Sequence, residues 1–539
     1  MFSKIFKNKW VIRIASIVIV LVFAVFIAVQ MFTKEESRTG ENILEIHVFD
    51  LGYGTEWVNK AAEKFMEENE GVEIDVKILY NSIETMLLAG PEITTADILM
   101  GECTTHQRFV RETLDDGSPI LADLTDLYDE VVDGETKTIK QRLYKSVEES
   151  FNYCGTDRYY GFPIINDVNG LYYNIGMFRD SGWSVPRTTN ELIGLATTIA
   201  SKVPTAKKNK EVYPFIWFPG YWNYCLPVWW AQYEGLETYL NYFHPSQNIR
   251  PTSENSEYKK QLGNKYALEV LNDIVNPSLH TNFSYPGCIS ALFTDIQTNF
   301  LLGTAAMIPN GGWMENEMKE ESENADFGIM KMPVISELGV KLGITESELC
   351  SIISYIDGDT NTEPDFTSTN SLTKEQVMQA VIDARSLNSM SVSYAYPALV
   401  PAYSDAIPLA KKFLAYMTSS EARKIIFKNS GILPCSTSEN DLTASRLDST
   451  FSKSKLALYN VSNYQTVPMV NMSDPFYFVP NLMAYSKNTY PAKIFGAKNP
   501  DDRMTVDEFL QKEIQYLEEN WDYTWAYVNS HMSKPISVS

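Results

Sequence analysis

The stretch Phe300–Trp313, F-L-L-G-T-A-A-M-I-P-N-G-G-W, sets an apolar run against a glycine pair and a tryptophan. A strand ending in two residues without side chains lets backbone approach a ligand, and an indole at its end offers a flat apolar face. That is chemistry for holding a sugar ring, although the same residues also suit a buried strand, a tight turn and a core tryptophan. Glu102 follows the strand-like segment Ala96–Met100, where a carboxylate at a carboxyl end can accept hydrogen bonds from hydroxyls. Four of the ten tryptophans fall in Trp217-Phe218-Pro219-Gly220-Tyr221-Trp222 and Trp229-Trp230. One or two of them suit stacking on sugar faces while the others pack a core, and Trp222 is the favoured stacking candidate. Catalytic patterns are missing: no G-x-S-x-G, H-E-x-x-H or P-loop occurs, and the five histidines are scattered. Asp357-Gly-Asp359-Thr-Asn361 begins like a calcium loop, but Thr362 replaces the turn glycine and Ser368 the twelfth-position carboxylate. No metal, cofactor or catalytic group is expected.

These residues need a scaffold. At 539 residues the chain exceeds the size at which one core stops growing, so two large lobes are expected. Ile43–Phe49 reads as a strand, Thr55–Asn69 as a helix with Trp57, Val58, Ala61, Ala62, Phe65 and Met66 on one face, and Val72–Ile78 alternates like a second strand. Such a β-α-β opening builds sheets whose ligands lie at the carboxyl ends of the strands, where Asp50-Leu51-Gly52-Tyr53-Gly54 falls. Capping-box pairs at Thr188/Glu191, Thr418/Glu421 and Thr505/Glu508 mark helix starts, and Val506–Trp521 reads as an amphipathic covering helix. With 45 Lys and Arg against 68 Asp and Glu, the formal charge of −23 argues against a nucleic-acid partner. Six widely spaced cysteines specify no pairing.

The amino terminus carries Lys4, Lys7, Lys9 and Arg13 before an apolar run, Ile14–Phe32. Its ~19 residues span roughly 28 Å as a helix, close to a bilayer core. Basic residues ahead of it put residues 1–13 in the cytoplasm and the rest outside. The expectation is a membrane anchor at 14–32 followed by a tether at 33–42; a cleaved signal peptide is the rival reading, but no small-residue cleavage site follows.

Four segments in order carry a family resemblance. The first runs Tyr160-Gly161-Phe162-Pro163, Asn166-Asp167, Leu171-Tyr172-Tyr173-Asn174, Met177-Phe178, Gly182, Pro186 and Glu191-Leu192. The second is Phe300, Gly303, Ala305-Ala306-Met307 and Trp313; the third is Asp326-Phe327-Gly328 to Met332-Pro333. The fourth joins Ala410-Lys411-Lys412-Phe413-Leu414, Ser419-Ser420-Glu421 and Gly431-Ile432-Leu433-Pro434. Together they resemble the extracellular solute-binding proteins of ABC importers, in the carbohydrate-binding group that includes maltose-binding protein. Thr189 departs from the family's usual tryptophan, residues 334–390 do not align with its core, and the lipid-anchor cysteine of many Gram-positive members is absent.

The resemblance implies an α/β fold of two lobes with a ligand cleft between them: lobe 1 from 43–163 and 391–440, lobe 2 from 164–333 and 441–539, with 334–390 inserted. It implies capture of a carbohydrate, an oligosaccharide by expectation, through lobe closure, and delivery to the membrane subunits of an ABC permease. Carried over by position, Asp167 is the carboxylate of the crossing segment facing the cleft, and Trp313 is the stacking tryptophan. Tyr53, Tyr396 and Asp474 complete the ligand-binding candidates with Glu102 and Trp222. Two alternatives stay open: a surface-anchored glycan hydrolase, for which an acidic chain always offers carboxylate pairs, and a binding protein that feeds a sensor kinase.

Overall fold

The computed structural model describes residues 40–532 apart from 51, 154–155, 202–211, 243–261, 323–325, 392–395, 431, 434, 438–451, 455–456, 458–465 and 469–489. Among the described residues the strands run β1 (Ile43–Val48), β2 (Glu73–Ile78), β3 (Ile98–Met100), β4 (Phe162–Pro163), β5 (Val168–Asn174), β6 (Tyr213–Phe215), β7 (Ala305–Asn310), β8 (Phe327–Ile329), β9 (Met390–Ser391), β10 (Pro397–Leu399) and β11 (Val467–Pro468). They form two sheets. The first has the order β2-β1-β3-β10-β4, with β1, β2 and β3 parallel and β10 antiparallel to β3 and β4. The second has the order β11-β9-β5-β7-β6, with β8 also paired to β5.

Each sheet has its own core, as two lobes require. Helix Glu56–Glu68 buries Trp57, Val58, Ala61, Ala62 and Phe65 on the first sheet, the expected face at the expected spacing. The chain passes to lobe 2 between β4 and β5 and returns between β9 and β10. Asn166 bridges Leu433 where a further segment crosses. One boundary differs from expectation: Ser391 pairs in the lobe 2 sheet, so the return to lobe 1 follows it. Residues 334–390, the expected insertion, pack into lobe 2. Their helices Glu337–Leu342, Glu346–Ile356 and Lys374–Ser386 place Leu338, Leu349, Ile352, Ile353, Val377 and Val381 in the lobe 2 core. Apolar residues at helical spacing had to be covered, and the lobe 2 sheet covers them.

Local signals explain the helix starts. At Thr505 the capping box is reciprocal: its N–H donates to Glu508 Oε2 at 2.8 Å and its hydroxyl accepts from the Glu508 N–H at 3.2 Å. Thr188 caps Glu191, whose carboxylate turns instead to the Arg187 N–H at 2.8 Å. At the third site Ser419, not Thr418, accepts from Ala422 N–H at 3.2 Å, because the Thr418 hydroxyl is held by Ala415 O and Arg142. The carboxyl-terminal helix runs Val506–Met532, longer than the apolar pattern marked. No helix among the described residues is long and apolar enough to cross a membrane, and the run Ile14–Phe32 lies outside them.

Candidate ligand-binding site

Asp167 sits in the segment that crosses between lobes and is 2% exposed. Its Oδ1 accepts from the Gly312 N–H at 3.2 Å, which ties it to the glycine pair after β7. Its Oδ2 is buried without a hydrogen-bond partner, as are both amide atoms of Asn169 and the hydroxyls of Tyr53 and Tyr172. Burial pushes the Asp167 carboxyl up to about 6. Tyr53, Asn169 and the Gly312 N–H offset this in part, though the two side chains approach without reaching hydrogen-bond geometry. Buried polar groups are nearly always paired, so several unpaired ones in one place make this the candidate site.

The glycine pair serves the tryptophan. A Cβ on Gly311 would lie 1.9 Å from the Trp313 ring and 2.3 Å from Asn169 Oδ1, so only glycine lets the indole fold back over its own strand end. The strand itself is shorter than expected, because Phe300 closes helix Phe293–Leu301 and β7 begins at Ala305 after Gly303 at φ 78°. Trp313 belongs to lobe 2 by sequence yet packs among lobe 1 residues. It meets the rings of Tyr221 and Tyr224 edge-on at 6.0 and 5.8 Å, and those two stack at 5.5 Å.

Trp222 lies on the other side of this segment from Trp313. Pro219–Tyr224 is a 3₁₀ helix, in which positions i and i+3 eclipse. Tyr221 and Tyr224 therefore share the face toward Trp313. Trp222 is turned into the lobe 2 core, 1% exposed and stacked with Trp229 at 6.3 Å. The 3₁₀ period was a signal available in Pro-Gly-Tyr-Trp-Asn-Tyr, but only once the helix type is known.

From lobe 1, the loop after β1 presents Tyr53, 4% exposed, between Gly52 (φ 84°) and Gly54 (φ 69°). These positive φ values suit glycine, and Asp50 Oδ1 accepts from both of their N–H groups. Asn316 reaches across from lobe 2 and donates to Gly52 O at 2.7 Å. The Tyr396 phenol lies within electrostatic reach of Asp167, Glu102, Tyr221 and Glu317, and so stands among residues of both lobes. Glu102 is exposed at the rim after β3; surrounding protein mass and then Glu84 raise its carboxyl. Asp474 lies outside the described residues. Glu317 and Gln297 were not foreseen: Gln297 is fully buried with neither amide atom partnered, and Glu317 Oε2 is unpartnered too. A cavity of ≈ 10 Å³ beside Tyr53, Trp57, Gly101 and Tyr396 has room for about one water.

The family model for bacterial extracellular solute-binding proteins matches residues 52–424. The chain is 24% identical over 301 residues to the diacetylchitobiose binding protein NgcE of Streptomyces coelicolor, an alignment covering 55% of this chain and 58% of that protein. It thus spans little more than half the length of that relative. Among solved structures, the ABC substrate-binding protein Lmo0181 of Listeria monocytogenes in complex with cycloalternan superposes at a TM-score of 0.56 and 16% identity, covering 90% of this chain and 100% of that one. A chitin oligosaccharide binding protein does so at 0.55 and 16%, covering 88% and 99%. At that identity the likeness establishes the two-lobed fold.

Proposed function

The chain belongs to the bacterial extracellular solute-binding proteins, and from that premise we propose that it captures a carbohydrate, an oligosaccharide, by lobe closure and hands it to an ABC permease. The observation that carries the reading is the free Oδ2 of buried Asp167 in the same cleft as the Trp313, Tyr221 and Tyr224 rings. Sugar hydroxyls fit unpartnered acceptors, and the apolar faces of sugar rings fit aromatic ones. The names of the S. coelicolor relative and of the two superposed structures, which speak of diacetylchitobiose, cycloalternan and chitin oligosaccharide, point the same way. With so little space left beside Tyr53, a sugar enters when the lobes part and is held when they meet, and it shifts that equilibrium by its preference for the closed state. The run Ile14–Phe32 supports an anchored protein whose lobes face the exterior.

Thermal-shift screening of the purified chain against a panel of oligosaccharides, followed by calorimetry, tests this. At least one sugar is expected to raise the melting temperature. Trp313→Ala is expected to weaken its binding by more than about 1 kcal/mol. Stabilisation by a peptide or a lipid head group and by no sugar overturns the carbohydrate reading.

A further inference from the structure

We propose that the ligand is an oligosaccharide too long for the buried part of the cleft, whose outer sugars leave Trp313 along a track of aromatic rings, Tyr221, Phe218 and Phe293, to the open surface of lobe 2. The inference rests on the carbohydrate reading above and extends the same site outward. Successive rings of the track are in contact: Trp313 lies 6.0 Å from Tyr221, Tyr221 5.2 Å from Phe218, and Phe218 6.4 Å from Phe293. Each step is about the length of one pyranose unit. The three pairs meet edge to face, at 70°, 62° and 79°, and a ring that gives only its edge keeps its faces for a sugar. Exposure rises along the track, from Trp313 at 7% through the half-buried Tyr221 and Phe218 to Phe293 at 39% and its neighbour Leu292 at 66%.

The fold brings the far end of the track to the cleft side of lobe 2. β6 and β7 run parallel, so Phe218, just past β6, and the glycine pair, just past β7, emerge at the same end of the sheet. Helix Phe293–Leu301 turns back into β7 and packs on it, which returns its first residue, Phe293, to that end. A side chain at Gly220 would crowd the track: its Cβ would lie 3.3 Å from the Tyr490 ring and 3.5 Å from the Phe218 ring. Glycine there lets Tyr490 close on the turn as a flanking ring.

A second observation is independent of the rings. Gln297 lies one helical turn after Phe293, on the same face of the helix. It is fully buried, and neither its Nε2 nor its Oε1 has a hydrogen-bond partner. A buried amide with an idle donor and an idle acceptor is costly to leave so, and a sugar hydroxyl, which both donates and accepts, satisfies it. Helix Lys319–Ser322 packs on the same helix, and Glu317 just before it holds a second buried, unpartnered atom, Oε2. Glu317 also stands against lobe 1, where a Cβ on Gly52 would lie 3.2 Å from its own. The outer part of the site thus repeats the composition of the inner one, ring faces beside unpaired polar atoms.

Calorimetry on the full chain with three series of oligosaccharides, from two to six units of β-1,4-linked N-acetylglucosamine, α-1,4-linked glucose and β-1,4-linked xylose, tests the track. In the series that binds, the hexasaccharide is expected to bind at least about tenfold more tightly than the disaccharide. Phe293→Ala, at an exposed position where folding is safe, is expected to shrink that ratio at least about threefold. Gln297→Leu exchanges an unpaired buried amide for an apolar side chain of similar size, so it keeps the fold and should shrink the ratio too. Equal affinity for both lengths, or a ratio unchanged in both variants, overturns the track and leaves the carbohydrate reading standing. Binding in none of the three series also overturns it, and the carbohydrate reading falls with it only where the wider panel fails as well.

Discussion

Two aspartates of this molecule, the half-buried Asp357 and the buried Asp167, meet opposite fates. Asp357 ends helix Glu346–Ile356, where Arg385 grips its carboxylate from Nε and Nη2 and Lys331 adds a bond at 2.9 Å. Burial alone raises its pKa, but the bonds and charge of Arg385, then of Lys331, win and hold it below the usual carboxylate range. Asp167 is buried more deeply, with one backbone N–H at 3.2 Å and no ion pair among the described residues, and burial wins. A carboxylate with its full complement of partners holds elements together, whereas the one left short is, on the function proposed above, the one that meets a ligand. The contrast also explains the sequence Asp357-Gly-Asp359: its first acid is spent on Arg385 and Lys331, which fasten helix Lys374–Ser386 to lobe 2.

The largest test removes the cation. Arg385→Ala leaves the half-buried Asp357 beside Lys331 alone and is expected to destabilise the fold by about 2–4 kcal/mol in urea unfolding, toward the cost of breaking a buried pair. A loss under about 1 kcal/mol would erase the difference between the two sites. Asp167→Asn should act in the other direction. The folded carboxyl titrates near 6, above its ordinary value of about 4, so folding takes up a proton between those pH values. The stability associated with protonated Asp167 is complete below about pH 4 and is lost as pH rises through 6. The asparagine variant is therefore expected to be more stable than the parent at pH 7, by roughly 1–3 kcal/mol, with a flatter stability profile between pH 4 and 6. Its ligand affinity should fall. Lower urea resistance of the variant at pH 7 would make Asp167 a structural group like Asp357.

Elements were more legible than contacts, and the reason is physical. Helix Lys374–Ser386 and the start of the Val506 helix follow from side-chain periodicity and caps, which act within a few residues. That residues 334–390 belong to the lobe 2 core was not legible, since coverage of an apolar face is decided by partners far along the chain. In the site, Asp167, Trp313, Tyr53 and Tyr396 could be named from motif and strand-end logic, and the structure gathers them. Trp222, by contrast, packs in the lobe 2 core, because one residue of helical phase separates its face from that of Tyr221. Gln297 and Glu317 carry no local pattern at all; what distinguishes them is a missing partner, which exists only in three dimensions.

A third kind of polar group sharpens the contrast and gives the smallest effect. Asn316 donates to Gly52 O across the lobes at 2.7 Å, a bond that exists only while they are closed and that water replaces when they part. Because each lobe has its own core, losing this bond leaves lobe stability nearly untouched. It lowers the closed population instead, by the net worth of one neutral hydrogen bond, about 0.5–1.5 kcal/mol. Apparent ligand affinity falls by the same factor as the competent population. Asn316→Ala is thus expected to keep its urea midpoint while binding its sugar roughly three- to tenfold more weakly, chiefly through faster release in stopped-flow measurements. A lowered urea midpoint with unchanged affinity would put Asn316 with Asp357 among the groups that hold the fold, and the closed lobes would then owe nothing to this bond.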